Sequence, residues 1–175
     1  MLKDAVNIPV FIGHNIFSPE DAEKMLAEGN ADFVALGRSQ LAEPAWAKKA
    51  KEGRASDIKP CINCLIGCID RGMLSHTPIH CTVNPSLYRF ECKPVEKAET
   101  RKQVAVVGAG PAGCEAALTA SKRGHQVTIY EKRCIGGAMI EASKPENKAN
   151  IKRLIHYYED HIMHDPKHYT GKRRS

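Results

Sequence analysis

Two hydrophobic periods alternate along the first 52 residues of the chain. An apolar run over residues 8–12, IPVFI, ends at Gly13 and predicts a buried strand. Ser18 then supplies a helix N-cap, and the apolar positions that follow recur at helical spacing. A second apolar run over residues 32–36 predicts another buried strand, with more helix over about residues 43–52. This order of strands and helices predicts parallel β/α units.

The same alternation returns near residue 103, after a stretch with a different character. Residues 53–100 are rich in Gly, Pro and Cys and show little periodicity, which indicates a loop organised by a bound centre. Residues 103–107, QVAVV, then predict a buried strand, followed by a helix to about Arg123. Residues 126–130 predict the next strand, which ends at Glu131. We therefore predict an α/β chain with two β/α segments.

Composition limits the classes of protein to which the chain could belong. With 175 residues it can hold one domain or parts of two, and a hydrophobic fraction of 42% is ordinary for a globular protein. No apolar run reaches the roughly 20 residues that span a bilayer, and the N-terminus lacks a signal-peptide layout. We therefore expect a cytoplasmic protein that does not act at a membrane.

The net charge of +6 does not indicate a nucleic-acid partner. Much of the excess lies in the last residues, and no interleaved aromatic residues or basic recognition helix accompany it. We interpret residues 166–175 as a solvated basic tail. Seven cysteines without a secretion signal instead favour metal binding or redox chemistry.

Four of these cysteines carry the strongest chemical signal: Cys61, Cys64, Cys68 and Cys81. The Cys-x2-Cys-x3-Cys spacing of CINCLIGC suits one face of a 4Fe-4S cluster, and Cys81 would supply the fourth ligand. A structural zinc site is the main alternative, although it usually takes two separated Cys-x2-Cys pairs. Buried free thiols are a third interpretation.

A glycine fingerprint, GAGPAG, follows the strand at residues 103–107 and opens the next helix. Gly108 would permit a tight turn, Gly110 a close approach of the backbone to a pyrophosphate, and Gly113 close packing of helix on strand. Glu131, at the end of the next strand, would accept hydrogen bonds from ribose hydroxyls. A glycine-rich turn without a ligand is the alternative.

Two further turns follow the strands of the first segment. They are Gly13-His14-Asn15 and Gly37-Arg38. Loops after the last strands of a (β/α)8 barrel commonly bind phosphate, so these backbone amides and the Arg38 charge are candidates. Ordinary βα turns without a ligand explain them equally well.

The order of these segments resembles the multidomain branch of the old yellow enzyme-type NADH:flavin oxidoreductases. Residues 8–53 are similar to the end of its FMN barrel. CINCLIGCIDR, CTVNP and VAVVGAGPAGCEAALTASKRGHQVTIYEK resemble its iron–sulfur and FAD segments. This branch includes 2,4-dienoyl-CoA reductase, trimethylamine dehydrogenase and enoate reductases.

The resemblance implies a fold, a division into domains and a reaction. Residues 1–52 would end a (β/α)8 FMN barrel, 53–100 would form the iron–sulfur loop and linker, and 101–165 would begin a Rossmann-like FAD/NAD(P)-binding domain. Electrons would pass from NAD(P)H through FAD and the cluster to FMN, and reduce an activated alkene such as an enoyl or dienoyl substrate. The implied site residues are Cys61, Cys64, Cys68 and Cys81 for the cluster, Gly13, His14, Asn15, Gly37 and Arg38 for FMN, and Gly108, Gly110, Ala112, Gly113, Glu131 and Gly137 for FAD.

Two other hypotheses stay open at this point. The chain could be an electron-transfer subunit resembling the small subunit of glutamate synthase, or an inactive truncated gene product. If the chain is part of an oxidoreductase, we expect a small-molecule substrate, together with a complementing chain or a second copy as partner. Two barrel strands alone would leave unpaired edges and apolar faces, so poor solubility is expected.

Overall fold

The computed structural model of the protein describes residues 3–87 and 95–163. The chain divides into two compact units, Met1–Arg89 and Phe90–Ser175, and each holds a parallel β/α segment as predicted. The finer boundaries at residues 52 and 100 stay predictions, and the predicted basic tail at 166–175 lies outside the described residues. No helix in the described ranges has the length and apolar character needed to cross a membrane.

The first unit is built on two short parallel strands. Its regular elements are β1 (Phe11–Gly13), α1 (Pro19–Ala27), β2 (Phe33–Ala35), α2 (Arg38–Ala42) and α3 (Trp46–Lys51). Residue Gly13 pairs with Ala35, so both strands end at the same edge. The helix expected over about residues 43–52 is present as α3, and the short helix α2 before it was not predicted.

Helix α1 begins where its sequence predicts. The Ser18 hydroxyl accepts a hydrogen bond from the Asp21 amide at 3.1 Å, and the Asp21 carboxylate accepts one from the Ser18 amide at 3.1 Å. This reciprocal capping box, with Pro19 in the first helical turn, fixes where the chain turns back after β1.

The segment expected to be irregular contains a π-helix, Ile66–Leu74. Its residues bond five positions back, as the Asp70 amide does to the Leu65 carbonyl at 3.0 Å. Leu65, which precedes it, is left-handed at φ 62°. Nothing in the hydrophobic pattern predicted this element, because π-helices are rare and depend on local contacts.

The second unit also contains a parallel pair of strands. Its regular elements are β3 (Gln103–Val107), α4 (Pro111–Lys122), β4 (Gln126–Tyr130), α5 (Ala138–Ala142) and α6 (Asn150–Met163). Its core combines α4, β4 and α6 through Cys114, Val127 and Leu154, each at most 3% exposed. The two strands and α4 lie where the sequence predicted them.

The prediction that β1, β2 and β3 are buried strands is wrong. Phe11 and Phe33 are 66% and 50% exposed, with stacked rings whose centroids are 4.7 Å apart, and Val107 is 87% exposed. Each described sheet has two strands, and alternate side chains of a strand point to opposite faces. One face of each pair therefore remains in contact with solvent.

Candidate functional site

The turns after β1 and β2 meet at one edge of the first sheet. The Arg38 guanidinium donates a hydrogen bond to the Asn15 side-chain oxygen at 3.1 Å, which joins the two turns. Gly13 packs tightly, since an added Cβ would lie 3.3 Å from the Ala35 carbonyl oxygen. His14, Asn15 and Gly37 are exposed, so the backbone at this edge is open to solvent.

His14 holds an unusual backbone conformation in this turn. Its φ is 111° and that of Asn15 is 53°, in the region that favours glycine. A bulky residue pays a conformational cost there of about 1–3 kcal/mol. Because such strain concentrates at ligand sites, it favours a binding role for the turn over an ordinary connection.

Two buried side chains fasten α2 on both sides. The Ser39 hydroxyl donates to the Ile16 carbonyl at 2.6 Å, which ties α2 to the turn after β1. The Asn84 amide donates to the Leu41 carbonyl at 2.9 Å, which ties α2 to the segment containing Cys81. The candidate phosphate turns and the cysteine segment therefore belong to one hydrogen-bonded structure.

The cysteine segment folds back on itself through a glycine contact. The His80 amide donates to the Gly67 carbonyl at 2.8 Å. A Cβ added to Gly67 would lie 2.3 Å from the His80 carbonyl oxygen, so only a glycine at position 67 lets these two chain segments come so close. The contact brings the neighbours of Cys68 and Cys81 together, although 13 positions separate the two cysteines in sequence.

Cys61 lies at the buried end of the cysteine set. Burial raises the pKa of its thiol, and the nearby sulfurs of Cys81 and Cys64 raise it further. The Asn63 amide, which donates to the Cys61 sulfur at 3.4 Å, and the Arg38 charge lower the pKa in turn. The Cys61 thiol thus lies within electrostatic range of Cys64, Cys81 and the Arg38 cation.

All four cysteines are free thiols, but they are not assembled into a finished ligand set. Within residues 3–87 and 95–163, no three His, Cys, Asp or Glu side chains form a group that could hold a metal ion. Cys64 instead lies 3.1 Å from the Thr82 hydroxyl. The structure brings Cys64 and Cys81 within electrostatic range of Cys61 and places Cys68 on the π-helix.

The donor set nevertheless fits a sulfur-ligated inorganic centre. Four thiols are soft ligands, and an amide N–H already points at one sulfur, as is usual around such centres. The side-chain oxygen of Asn63 is buried without a hydrogen-bond partner among the described residues. Rotation of the Asn63 amide would put N–H donors in place of that oxygen, and donors of this kind suit an anionic centre.

A half-buried ion pair supports the entry to this segment. The Lys49 ammonium contacts the Glu43 carboxylate at 2.5 Å and donates to the Asp57 carbonyl at 2.8 Å. The Lys59 amide donates to the same carboxylate at 3.4 Å, two residues before Cys61. Burial raises the pKa of Glu43, but the Lys49 hydrogen bond and charge, together with the amides of Ala45 and Lys59, outweigh it and leave the pKa below its ordinary value.

The second unit holds the glycine fingerprint in the predicted context. Gly108 has φ 94° and its amide donates to the Tyr130 carbonyl at 2.8 Å, so the turn is tied to the end of β4. Gly110 precedes α4 with no side-chain cap, and an added Cβ would meet nothing within 4 Å. At Gly113 a Cβ would lie 2.0 Å from the Gly108 carbonyl oxygen. The three glycines therefore allow what their spacing predicts: a tight turn, an open backbone for a pyrophosphate, and close packing of α4 on β3.

Glu131 is held directly over this turn. Its carboxylate accepts hydrogen bonds from the Ala109 amide at 2.7 Å and the Arg133 amide at 2.8 Å, and these lower its pKa. A carboxylate oxygen can accept more than one hydrogen bond, so Glu131 retains capacity for ribose hydroxyls.

A second glycine loop packs against the same turn. The Gly136 amide donates to the Ala109 carbonyl at 2.8 Å, and a Cβ added to Gly137 would lie 3.0 Å from Gly110 Cα. Ala112 is exposed in the first turn of α4. The structure thus places all six predicted FAD-site residues around one turn, although their ligand role stays a prediction.

Cys114 is excluded from chemistry by its surroundings. It is fully buried on α4, its thiol donates to the Ala109 carbonyl at 3.2 Å, and burial raises its pKa to about 12. It is a core residue.

Sequence reasoning missed the residues that hold the sites in place. Ser39, Asn63, Thr82 and Asn84 carry no metal-ligand or fingerprint signal of their own. The one available signal was position, since Asn63, Thr82 and Asn84 lie within three residues of a cysteine.

Comparison with known proteins agrees with this division. The sequence model of the dihydrouridine synthase (Dus) family matches residues 1–74, and that of the pyridine nucleotide-disulphide oxidoreductase family matches residues 102–173. The chain is 50% identical over 153 residues to an NADH oxidase of Thermoanaerobacter brockii, which aligns with 86% of this chain and 24% of that protein.

Two further relatives extend the similarity. A cinnamate reductase of Clostridium sporogenes is 34% identical over 160 residues, which are 91% of this chain and 24% of that protein. The structure of a 2-naphthoyl-CoA reductase in complex with 2-naphthoyl-CoA superposes with a TM-score of 0.90 at 34% identity, over 98% of this chain and 26% of that one. The chain spans about a quarter of the length of these relatives.

The relatives named are oxidoreductases, and both matched families agree with the two β/α segments described above. The chain belongs to the old yellow enzyme-type flavin and iron–sulfur oxidoreductases, of which it carries the end of the barrel and the beginning of the nucleotide-binding domain.

Proposed function

We propose that the chain is part of an enzyme that moves electrons from NAD(P)H through FAD, a 4Fe-4S cluster and FMN to an activated alkene, such as an enoyl or dienoyl substrate. The observation that carries the proposal is the hydrogen-bonded structure of the first unit. There, the Arg38–Asn15 pair of the phosphate turns and the Asn84–Leu41 bond of the cysteine segment share α2.

Each part of the chain has a defined task in this proposal. The cysteine thiolates would ligate the cluster, which supplies one-electron transfer when bound. Arg38 and the open turn amides would hold the FMN phosphate by charge and hydrogen bonding. In the second unit, the bare backbone at Gly110 would admit a pyrophosphate, and Glu131 would hold the adenosine ribose.

The named relatives support reduction as the direction of the chemistry. A cinnamate reductase and a 2-naphthoyl-CoA reductase both act, by their names, on conjugated carboxylic acids or their thioesters. A substrate of that class has an alkene activated by a carbonyl group, which accepts hydride at its β-carbon. The substrate of the present protein is proposed on that basis alone.

An electron-transfer subunit like the small subunit of glutamate synthase is the second candidate. It would explain the cysteines and the glycine fingerprint equally well. The match of residues 1–74 to a barrel family favours the first candidate, because that segment also supplies the paired phosphate turns.

Anaerobic reconstitution with iron and sulfide tests the cluster. We expect about four irons per chain and a broad absorbance in the blue region of the spectrum. Cys61→Ser should lower the iron content, because it removes a buried ligand. Cys134→Ser is the matched control, since Cys134 is exposed in the second unit and should change nothing.

Stoichiometric zinc without sulfide in freshly purified protein would overturn the cluster proposal and favour the structural zinc site. An iron content equally sensitive to Cys134 and Cys61 would also contradict the assignment of ligands.

A further inference from the structure

The first unit buries very few polar side chains. In the described part of the unit, Ser39 and Asn84 are the polar or charged residues classed as buried, at 5% and 8% exposure. Ser39, on α2, donates to the Ile16 carbonyl, and Asn84 donates to the Leu41 carbonyl of α2. A buried polar group is costly unless it is paired, so such residues fix the relative positions of the segments that they join.

Asn84 satisfies both ends of its amide. Its nitrogen donates to the Leu41 carbonyl at 2.9 Å, and its oxygen accepts from the Ser86 amide at 3.0 Å. Leu41 lies in the last turn of α2, where helix carbonyls lack partners within the helix. Asn84 therefore both caps α2 and shapes the turn that follows the cysteine segment.

The position of Asn84 relative to Cys81 gives this contact its importance. Cys81 is three residues earlier, and Val83 between them is buried at 6% exposure. Cys81 is also the ligand most distant in sequence from the other three, so the local turns around residues 61–68 do not place it. Before Cys81 the chain is held by the His80 amide on the Gly67 carbonyl and by the Arg71 guanidinium on the Pro78 carbonyl at 3.0 Å. Directly after it, the Thr82 hydroxyl lies 3.1 Å from the Cys64 sulfur.

We propose that Asn84 is a positioning residue that fixes the fourth cluster ligand, Cys81, against the helix that begins at the phosphate turn. The inference rests on the proposed cluster. It assigns the residue no contact with the metal. Loss of the Asn84 donor would release Cys81 while leaving the other three cysteines in place.

Asn84→Asp and Asn84→Ala test this in the full chain. The aspartate keeps the acceptor for Ser86 but sets a carboxylate against the Leu41 carbonyl, and alanine removes both bonds. Asn7→Asp makes the same charge change at an exposed position and is the matched control. In the metal-free protein, the rate of alkylation by N-ethylmaleimide is measured at each cysteine by mass spectrometry.

We expect Cys81 to be alkylated about tenfold faster in both Asn84 variants, which is the size of effect that one net hydrogen bond can produce. Alkylation at Cys134 should not change, and Asn7→Asp should behave as the wild type. After reconstitution, the Asn84 variants should contain fewer than four irons and show the electron paramagnetic resonance signal of a three-iron cluster.

Unchanged alkylation of Cys81 in both variants would overturn the proposal, whatever the iron content. An equal rise at Cys61, Cys64 and Cys81, with altered emission from the buried Trp46, would instead assign Asn84 a general stabilising role and also overturn it. Absence of a cluster in the wild type would refute the proposed function, whereas the alkylation result would still decide the role of Asn84.

Discussion

Two glycines of the fingerprint should separate stability from ligand binding. Gly113→Ala places a Cβ 2.0 Å from the Gly108 carbonyl oxygen and 3.3 Å from Val106 Cγ1. An unstrained contact between carbon and oxygen is more than 1 Å longer, so α4 must move away from the turn or the turn must deform. Gly110→Ala meets nothing within 4 Å, and the φ of −73° suits any residue.

The magnitudes follow from these distances. The obstructing atom at Gly113 is backbone and cannot rotate away, so the cost should reach the upper end of overpacking, about 3 kcal/mol. At Gly110 the change from glycine to alanine at an N-cap costs about 1 kcal/mol or less. The alanine methyl at position 110 would, however, occupy the space through which a pyrophosphate approaches the backbone.

Hydrogen exchange with mass spectrometry measures the first effect locally. A loss of about 3 kcal/mol should reduce the protection of β3 amides roughly a hundredfold in Gly113→Ala and severalfold at most in Gly110→Ala. Calorimetry with ADP measures the effect on ligand binding. Gly110→Ala should bind ADP at least tenfold more weakly, while its β3 amides stay protected from exchange. Wild-type protection of β3 in Gly113→Ala would refute the packing argument, and wild-type ADP affinity in Gly110→Ala would refute the binding argument.

Two carboxylates give further predictions. Glu43 has a lowered pKa, so its contribution to stability is complete above the ordinary glutamate pKa and is lost as the pH falls through the folded value. Glu43→Gln should therefore lower the free energy of unfolding by about 2 kcal/mol at pH 7 and by much less at pH 3, in urea titrations followed by Trp46 emission; an equal loss at both pH values would contradict the ion pair with Lys49. Glu131→Gln should weaken ADP binding about tenfold in calorimetry, because it replaces a charged acceptor by a neutral one. Unchanged ADP affinity would show that Glu131 serves only the turn at Ala109.

The sequence predicted most reliably what local chemistry determines. The α1 boundary follows from the Ser18 capping box, and the β3–α4 turn follows from the fingerprint glycines. Both depend on residues close together in sequence, whose conformational needs can be stated without knowing the rest of the fold.

The remaining features depend on contacts between distant residues. The π-helix forms between left-handed Leu65 and the returning chain at His80, and its hydrophobic pattern does not distinguish it from a loop. Strand burial was wrong at Phe11 and Val107, because an apolar run indicates only that a strand can be covered. The role of Asn84 depends on Leu41, 43 positions earlier, and no spacing rule connects them.

The left-handed residues on either side of Cys64 have an energetic consequence for the metal-free chain. Asn63 tolerates φ 56°, but Leu65 at φ 62° pays about 1–2 kcal/mol for its conformation. In the absence of ligation, the hydrogen bonds of the segment offset that cost, among them the bond from His80 to Gly67. Under the proposed function, ligation through Cys64 and Cys68 would offset the conformational cost at Leu65. Cluster binding and closure of the loop are then thermodynamically linked. The segment should therefore resist proteases better with a bound cluster than in the metal-free chain.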